Sequence, residues 1–225
     1  MVDVNLREEM IECGSFKVFH YKKIDSTQKE IWRRVKNETI EDRTMIIADI
    51  QTAGIGTHGR VWHTDEENNI AFSVYFDFIG KNRRIDEFEG LTVEIAKKIV
   101  DVFEDLYGIR LDIKFPNDIY CNGKKLGGIL TETKVQDGLV RCVVIGIGIN
   151  TNQVQFTDEI EGIATSIRRE FGIEVDNEKV ILKWGRFLFQ KRTVPISKKE
   201  ENFNENRFFI SWPRFTICWN GKRII

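Results

Sequence analysis

Residues 110–150 read RLDIKFPNDIYCNGKKLGGILTETKVQDGLVRCVVIGIGIN, and the class of fold turns on them. Asn122-Gly123 sits between two apolar runs and meets the need of a type I′ turn for two successive residues at positive φ. Asp137-Gly138 repeats the signal further on. Strands are therefore expected at Arg110–Phe115, around Ile119–Cys121 and at Lys125–Thr133. The near-continuous apolar run Leu139–Ile149 suits a central strand covered on both faces. Hairpins in succession mean antiparallel neighbours.

Working outward, Ile70, Phe72, Val74, Phe76 and Phe78 alternate strictly, which predicts a half-buried strand. Between it and the hairpins, Leu91, Ile95, Ile99, Val102 and Leu106 recur at helical spacing, so a helix is expected over Glu87–Tyr107 with Gly108 just past its end. Upstream, Ser15–Tyr21 reads as a strand. Thr27 with Glu30 forms a capping-box pattern opening a helix through Ile31, Trp32 and Val35. The apolar run Met45–Ile50 then breaks into a loop over Gln51–Asn69, and two more helices are expected around Thr165–Phe171 and Asn177–Phe189. The order predicts an α/β (α+β) fold, a mixed and mainly antiparallel sheet with packed helices, and argues against a Rossmann domain.

The chain has 225 residues, 41% of them apolar and 31% charged, enough for one large domain with a sizeable core. No apolar run approaches the ~18 residues of a membrane span. The polar, acidic N-terminus is unlike a secretory signal, so a cytoplasmic protein is expected. Cys13, Cys121, Cys142 and Cys218 are scattered without a C-x-x-C pair, which reads as free thiols in a reducing compartment and predicts no metal site of its own. The net charge of −1 conceals an asymmetry. Residues 1–180 carry 24 Lys+Arg against 32 Asp+Glu, whereas residues 181–225 carry 10 against 3, with three of the five Trp and six of the 16 Phe. An aromatic, basic tail suits a single nucleic-acid strand, but it contains no recognised binding module, and no DNA partner is predicted.

Four segments spend glycine or polar groups where a plain scaffold would not. Gln51-Thr-Ala-Gly-Ile-Gly-Thr-His-Gly-Arg-Val-Trp62 leaves backbone amides uncovered at Gly54, Gly56 and Gly59, suited to wrapping an anion, with Arg60 as a fixed cation. It is not a Walker loop, because no Lys-Ser/Thr ends it. In Lys114-Phe-Pro-Asn-Asp118 the proline fixes the chain that presents Asn117 and Asp118. Gly123-Lys-Lys-Leu-Gly-Gly128 places glycines inside a strand, the mark of a bulge or a close approach, beside Lys125. Val144-Ile-Gly-Ile-Gly-Ile-Asn150 ends an apolar strand on an amide. Taken singly, each also reads as a surface loop, a turn or sheet packing.

Together with Asp25-Ser-Thr27, and in this order, these segments resemble the catalytic domain of biotin protein ligases, over roughly residues 14–190. The resemblance implies that ATP and biotin react to biotinyl-5′-AMP, and that the biotinyl group passes to a lysine on the biotin carboxyl carrier domain of a carboxylase. It implies biotin contacts at Ser26, Thr27, Gln51, Gly54, Gly128 and Lys125. It implies ATP or adenylate contacts at Gly56, His58, Gly59, Arg60, Trp62, Asn117 and Asn150. Lys125, helped by Arg60 and by Mg²⁺ on the ATP phosphates, matches the position that relieves carboxylate–phosphate repulsion. Asp118 matches a group that assists the incoming carrier lysine.

The sequence departs from that family in three places. Many members carry arginines where Ile55 and Thr57 stand, so the resemblance implies weaker retention of the adenylate. No helix-turn-helix precedes the core, so the chain is expected to be of the ligase-only type, a monomer or a homodimer. Residues 1–190 are expected to form the catalytic domain. Residues 191–225 are expected to be a divergent tail whose Trp212–Lys222 resembles the entry to an SH3-like barrel that is not completed. That ending leaves open a non-catalytic remnant that binds biotin or biotinyl-AMP.

Overall fold

The computed structural model describes residues 6–9, 16–64, 68–189, 218–219 and 222–223. The first compact unit spans Met1–Gln190 and the second Lys191–Ile225. In the first, nine strands form one sheet: β1 (Leu6–Glu9), β2 (Lys17–Ile24), β3 (Thr44–Ile55), β4 (Val61–Thr64), β5 (Ile70–Asp77), β6 (Asp112–Lys114), β7 (Asp118–Cys121), β8 (Lys124–Gln136) and β9 (Leu139–Ile149). Their order is β1-β2-β3-β5-β9-β8-β7-β6, with β4 also paired to β3. Only β2 and β3 run parallel among these pairs, joined by helix α1 (Thr27–Lys36). The sheet is mixed and mainly antiparallel, as expected.

Both glycine turns take the expected form. Asn122 and Gly123 have φ of 49° and 78°, and Asp137 and Gly138 of 53° and 74°. Four readings change. The helix expected from Glu87 begins later, as α2 (Leu91–Tyr107), because Gly90 at φ 77° breaks it from a short 3₁₀ turn at Ile85–Phe88. The helix cap is Ser26, whose hydroxyl accepts from the Lys29 amide, so Thr27 is the first helical residue; both types can cap, and the pattern could not choose between them. The stretch 51–64 is not a loop but an arm, in which the end of β3 turns through Thr57–Gly59 and returns as β4.

The fourth change concerns β5, which is buried on both faces rather than half-buried: Ala71, Ser73 and Tyr75 are as covered as Phe72 and Val74. The cause is a third layer. Phe72 meets Trp184 of α4 (Asn177–Phe189) edge to face at 5.1 Å, while Tyr75 packs with Ile31 of α1, Ile46 and Val144 on the opposite face. On the α4 side, α2 bonds β8 through Thr92 and Thr131. A short helix, α3 (Ile167–Phe171), follows β9.

Among the described residues no helix is long and apolar enough to cross a membrane. In the second unit, β10 (Cys218–Trp219) pairs antiparallel with β11 (Lys222–Arg223). Most of the expected barrel entry, Trp212–Lys222, lies outside the described residues, as does Cys13.

Cys121 and Cys142 are free and buried. Burial pushes the Cys121 thiol up to about 11 and that of Cys142 up as well, and a protonated, covered thiol is a poor nucleophile. Neither should be alkylated by iodoacetamide at pH 8 in the folded chain, and both should be alkylated after unfolding in urea. Peptide mapping by mass spectrometry reads the outcome, and rapid native labelling of Cys121 would contradict it.

Candidate functional site

On the α1 side of the sheet, side chains are missing from three neighbouring positions. Gly148 of β9, Gly128 of β8 and Asp118 of β7 stand in register, and Gly146 lies one row along, opposite Ser73 of β5 and Leu130 of β8. At two of these glycines any larger residue would displace a neighbouring side chain. A Cβ on Gly146 would come within 2.7 Å of Gln28 Oε1, and one on Gly148 within 2.4 Å of the Trp62 ring. The glycines floor a cavity of about 390 Å³, roofed by the N-terminus of α1 and the β3–β4 arm, a volume suited to a small molecule.

One end is polar but neutral. Thr27 donates its backbone N–H to Gln51 Oε1 at 2.9 Å, and its hydroxyl lies 3.2 Å from the same oxygen and 2.9 Å from Ser73 Oγ. Ser73 donates to Gln28 Oε1 at 2.9 Å. Ser26 is fully buried here. Asp25, just before it, is not a cavity group: Arg33 clamps both its oxygens at 2.8 Å, which holds its carboxyl below the usual carboxylate range. Its Oδ1 also accepts the Ser26 amide, so the ion pair fixes how the chain enters α1.

The other end is charged. It lies three strands across from Ser73, roughly 14 Å at the usual strand spacing of about 4.8 Å. Lys125 Nζ donates to Asp118 Oδ1 at 2.7 Å, with the side chains only 28% and 14% exposed. Strict alternation would set Lys125 on the face opposite Gly128. The register between β7 and β8 instead shifts, so that Ile119 pairs with Gly127 but Tyr120 with Lys125. This bulge turns Lys125 to the side of Tyr120 and Asp118. A lysine has three protons; one is held by Asp118, and the others face the cavity that Lys125 lines. Asn117 is fixed by its own carbonyl, which accepts from Ile129 N at 2.9 Å.

The arm contributes from above. Arg60 donates to the hydroxyl and carbonyl of Thr57 at 2.9 and 3.2 Å, and Asn117 Nδ2 reaches the same hydroxyl at 3.5 Å. Trp62 lies over Gly148, with its buried Nε1–H unpaired. Of the residues singled out in the sequence, Ser26, Thr27, Gln51, Gly56, Arg60, Trp62, Asn117, Asp118, Lys125, Gly128 and Asn150 line this one cavity.

Gly54, His58 and Gly59 do not line it. Gly54 lets β4 close on β3, since a Cβ there would meet Trp62 O at 2.6 Å. His58 and Gly59, at φ 58° and 73°, make the exposed turn of the arm. Asn150 is also structural, donating to Thr165 O at 3.2 Å. Sequence reasoning missed Gln28, Ser73 and Gln153 among the lining residues. Ser73 carried a signal: it is a small polar residue in the middle of a strand of apolar and aromatic side chains. Among the described residues no group of three His, Cys, Asp or Glu is placed to hold a metal ion.

Residues 21–150 match the model of the Biotin/lipoate A/B protein ligase family. The "Bifunctional ligase/repressor BirA" of Bacillus subtilis is 41% identical over 160 residues, which is 70% of this chain and 48% of that protein. The "Biotin--[acetyl-CoA-carboxylase] ligase" of Mycobacterium tuberculosis is 28% identical over 172 residues, 72% of this chain and 60% of that one. The chain thus spans about half the length of the curated relatives it matches. Among solved structures, the biotin protein ligase of Aquifex aeolicus in complex with biotin and ATP superimposes with a TM-score of 0.62 at 30% identity, covering 75% of this chain and 67% of that one.

Proposed function

The chain belongs to the biotin/lipoate A/B protein ligase family, and from that membership we propose that its cavity joins biotin to ATP as biotinyl-5′-AMP and passes the biotinyl group to a lysine of a carboxylase carrier domain. The observation that carries the reading is the order of groups along a single cavity. Neutral donors and acceptors stand at Ser26, Thr27 and Gln51, Leu130 lines the cavity beside Gly146 of the glycine floor, and Lys125 lies beyond that floor. Biotin has the same order: a ureido ring, an apolar bicycle and a valerate carboxylate.

In the first step a valerate oxygen attacks the α-phosphorus and the bond to pyrophosphate breaks. Two anions must approach. Lys125 donates to the carboxylate and to a non-bridging phosphate oxygen, lowering their repulsion as charge builds up on the phosphorus. Asp118 keeps the ammonium aimed. Arg60 attends the phosphates from the arm, and Trp62, with an unpaired indole N–H, packs on the adenylate. In the second step the amine of the carrier lysine attacks the acyl carbon and AMP leaves. Asp118 accepts a hydrogen bond from that amine and helps take its proton.

Magnesium on the nucleotide would neutralise the triphosphate. The donors present fit it, because Mg²⁺ takes one or two protein oxygens and otherwise phosphates and water. The amide oxygen of Asn150, which lines the cavity, would take one place on it, with the phosphates and water taking the rest. We assign the catalytic domain to residues 1–190.

Calorimetry with biotin, paired with labelling of a carrier domain in the presence of ATP and Mg²⁺, tests the proposal. Binding and transfer are both expected. Binding without transfer would describe a non-catalytic biotin-binding chain.

The arm should also respond to its ligands. Gly56, Arg60 and Trp62 face the cavity from a hairpin in which β4, among the described residues, pairs with β3 alone, and a ligand beneath it adds contacts that close it over the water-sensitive anhydride. Biotin plus ATP should slow tryptic cleavage after Arg60 several-fold. An unchanged cleavage rate would contradict this.

A further inference from the structure

The hydrogen bonds behind the polar end of the cavity terminate on a carboxylate that does not itself line it. Glu132 stands on β8 opposite Val144 and faces α1. Its Oε2 accepts from Gln28 Nε2 at 2.8 Å and from Trp32 Nε1 at 2.6 Å. Those two donors are four residues apart on α1 and share one helix face.

A carboxylate only accepts, so it fixes which way the Gln28 amide lies. Nε2 must face Glu132, and Oε1 is thereby aimed at Ser73. An amide oxygen only accepts as well, so Ser73 gives Gln28 its single proton, at 2.9 Å. Ser73 Oγ is left with lone pairs toward Thr27 Oγ1 at 2.9 Å, a shorter contact than the 3.2 Å from Thr27 to Gln51. Thr27 therefore donates to Ser73. Every proton in the series Thr27, Ser73, Gln28 points away from the cavity and toward Glu132, each bond polarising the next.

The consequence is felt at the ligand. Thr27 Oγ1 offers the cavity lone pairs. Gln51, whose Oε1 is held by the Thr27 amide at 2.9 Å, offers its Nε2–H. An acceptor beside a donor fits a head group with N–H next to C=O. The geometry points to Glu132 as a positioning residue that sets this polarity through Gln28 and Ser73, and so selects a cyclic urea. The inference rests on the reading of the cavity as a biotin site.

Biotin affinity by calorimetry, together with KM for biotin and kcat for adenylation, tests it on the full chain. Glu132→Leu frees the Gln28 amide to turn. It should raise Kd and KM for biotin about tenfold, the worth of one ligand hydrogen bond, with kcat changed by less than about twofold. Glu132→Gln keeps an oxygen for both donors and should stay within about threefold of the unaltered protein. Equal binding by the leucine variant, a glutamine variant as poor as the leucine one, or a fall in kcat at constant KM would each overturn the role. Should the leucine variant not fold, Glu132→Met, unbranched and without a carboxylate, removes the same acceptor and carries the same expectations. An unaltered chain that binds no biotin overturns the biotin reading itself. One that binds biotin while Glu132→Leu is indifferent overturns only the part assigned to Glu132.

Discussion

Lys125→Ala should lower biotin-dependent adenylation by about two to three orders of magnitude while leaving biotin binding within about tenfold. The size follows from electrostatics. A unit charge about 4 Å from an opposite one is worth about 4 kcal/mol at an effective dielectric of 20, and the attraction is greatest when carboxylate and phosphate are nearest. Removal is worse than neutral, because Asp118, 14% exposed and 2.7 Å from the ammonium, is left as an unpaired anion facing two more anions. Asp118→Asn in the Lys125→Ala background should therefore recover part of the loss, since the repulsion goes with the charge. Single-turnover formation of biotinyl-AMP separates these effects from product release. A Lys125→Ala chain that adenylates biotin within threefold of the unaltered rate would contradict the assignment.

Gly148→Ala should raise KM for ATP at least about thirtyfold and destabilise the fold by about 1–3 kcal/mol. The new methyl would lie 2.4 to 2.7 Å from three atoms of the Trp62 indole, so the ring must leave. It cannot slide far, since Trp62 is paired to Gly54 along the arm and the carbonyl of Trp62 already closes on that glycine. Expelled, the indole would lose the place over the glycine floor from which it is proposed to pack on the adenylate. A red shift in tryptophan emission should accompany the change in KM. Unchanged emission with an unchanged KM would contradict the placement of Trp62 over the floor.

What the sequence disclosed follows a physical division. The turns at Asn122-Gly123 and Asp137-Gly138 and the stop at Gly108 were legible because positive φ is a local demand that few residues meet. The candidate residues were legible through spacing and the family resemblance, and eleven of the fourteen line one cavity. What stayed hidden depends on partners far along the chain. Ser73 bonds Gln28 across 45 positions and Glu132 reaches Gln28 across 104, separations that no window of sequence joins. The face taken by Lys125 depends on a bulge whose partner strand, β7, sets the register. In sequence the arm reads as a loop because its glycines mimic one, whereas in the fold Gly54 lets two strands close.

Lys125 is proposed to activate a carboxylate with ATP inside one cavity. This role is tested most directly by measuring pyrophosphate released from ATP by the full chain, with Mg²⁺, in the presence and absence of biotin. Release should require biotin and be nearly abolished in Lys125→Ala. Release that is absent, that proceeds equally without biotin, or that survives the loss of Lys125 would contradict it.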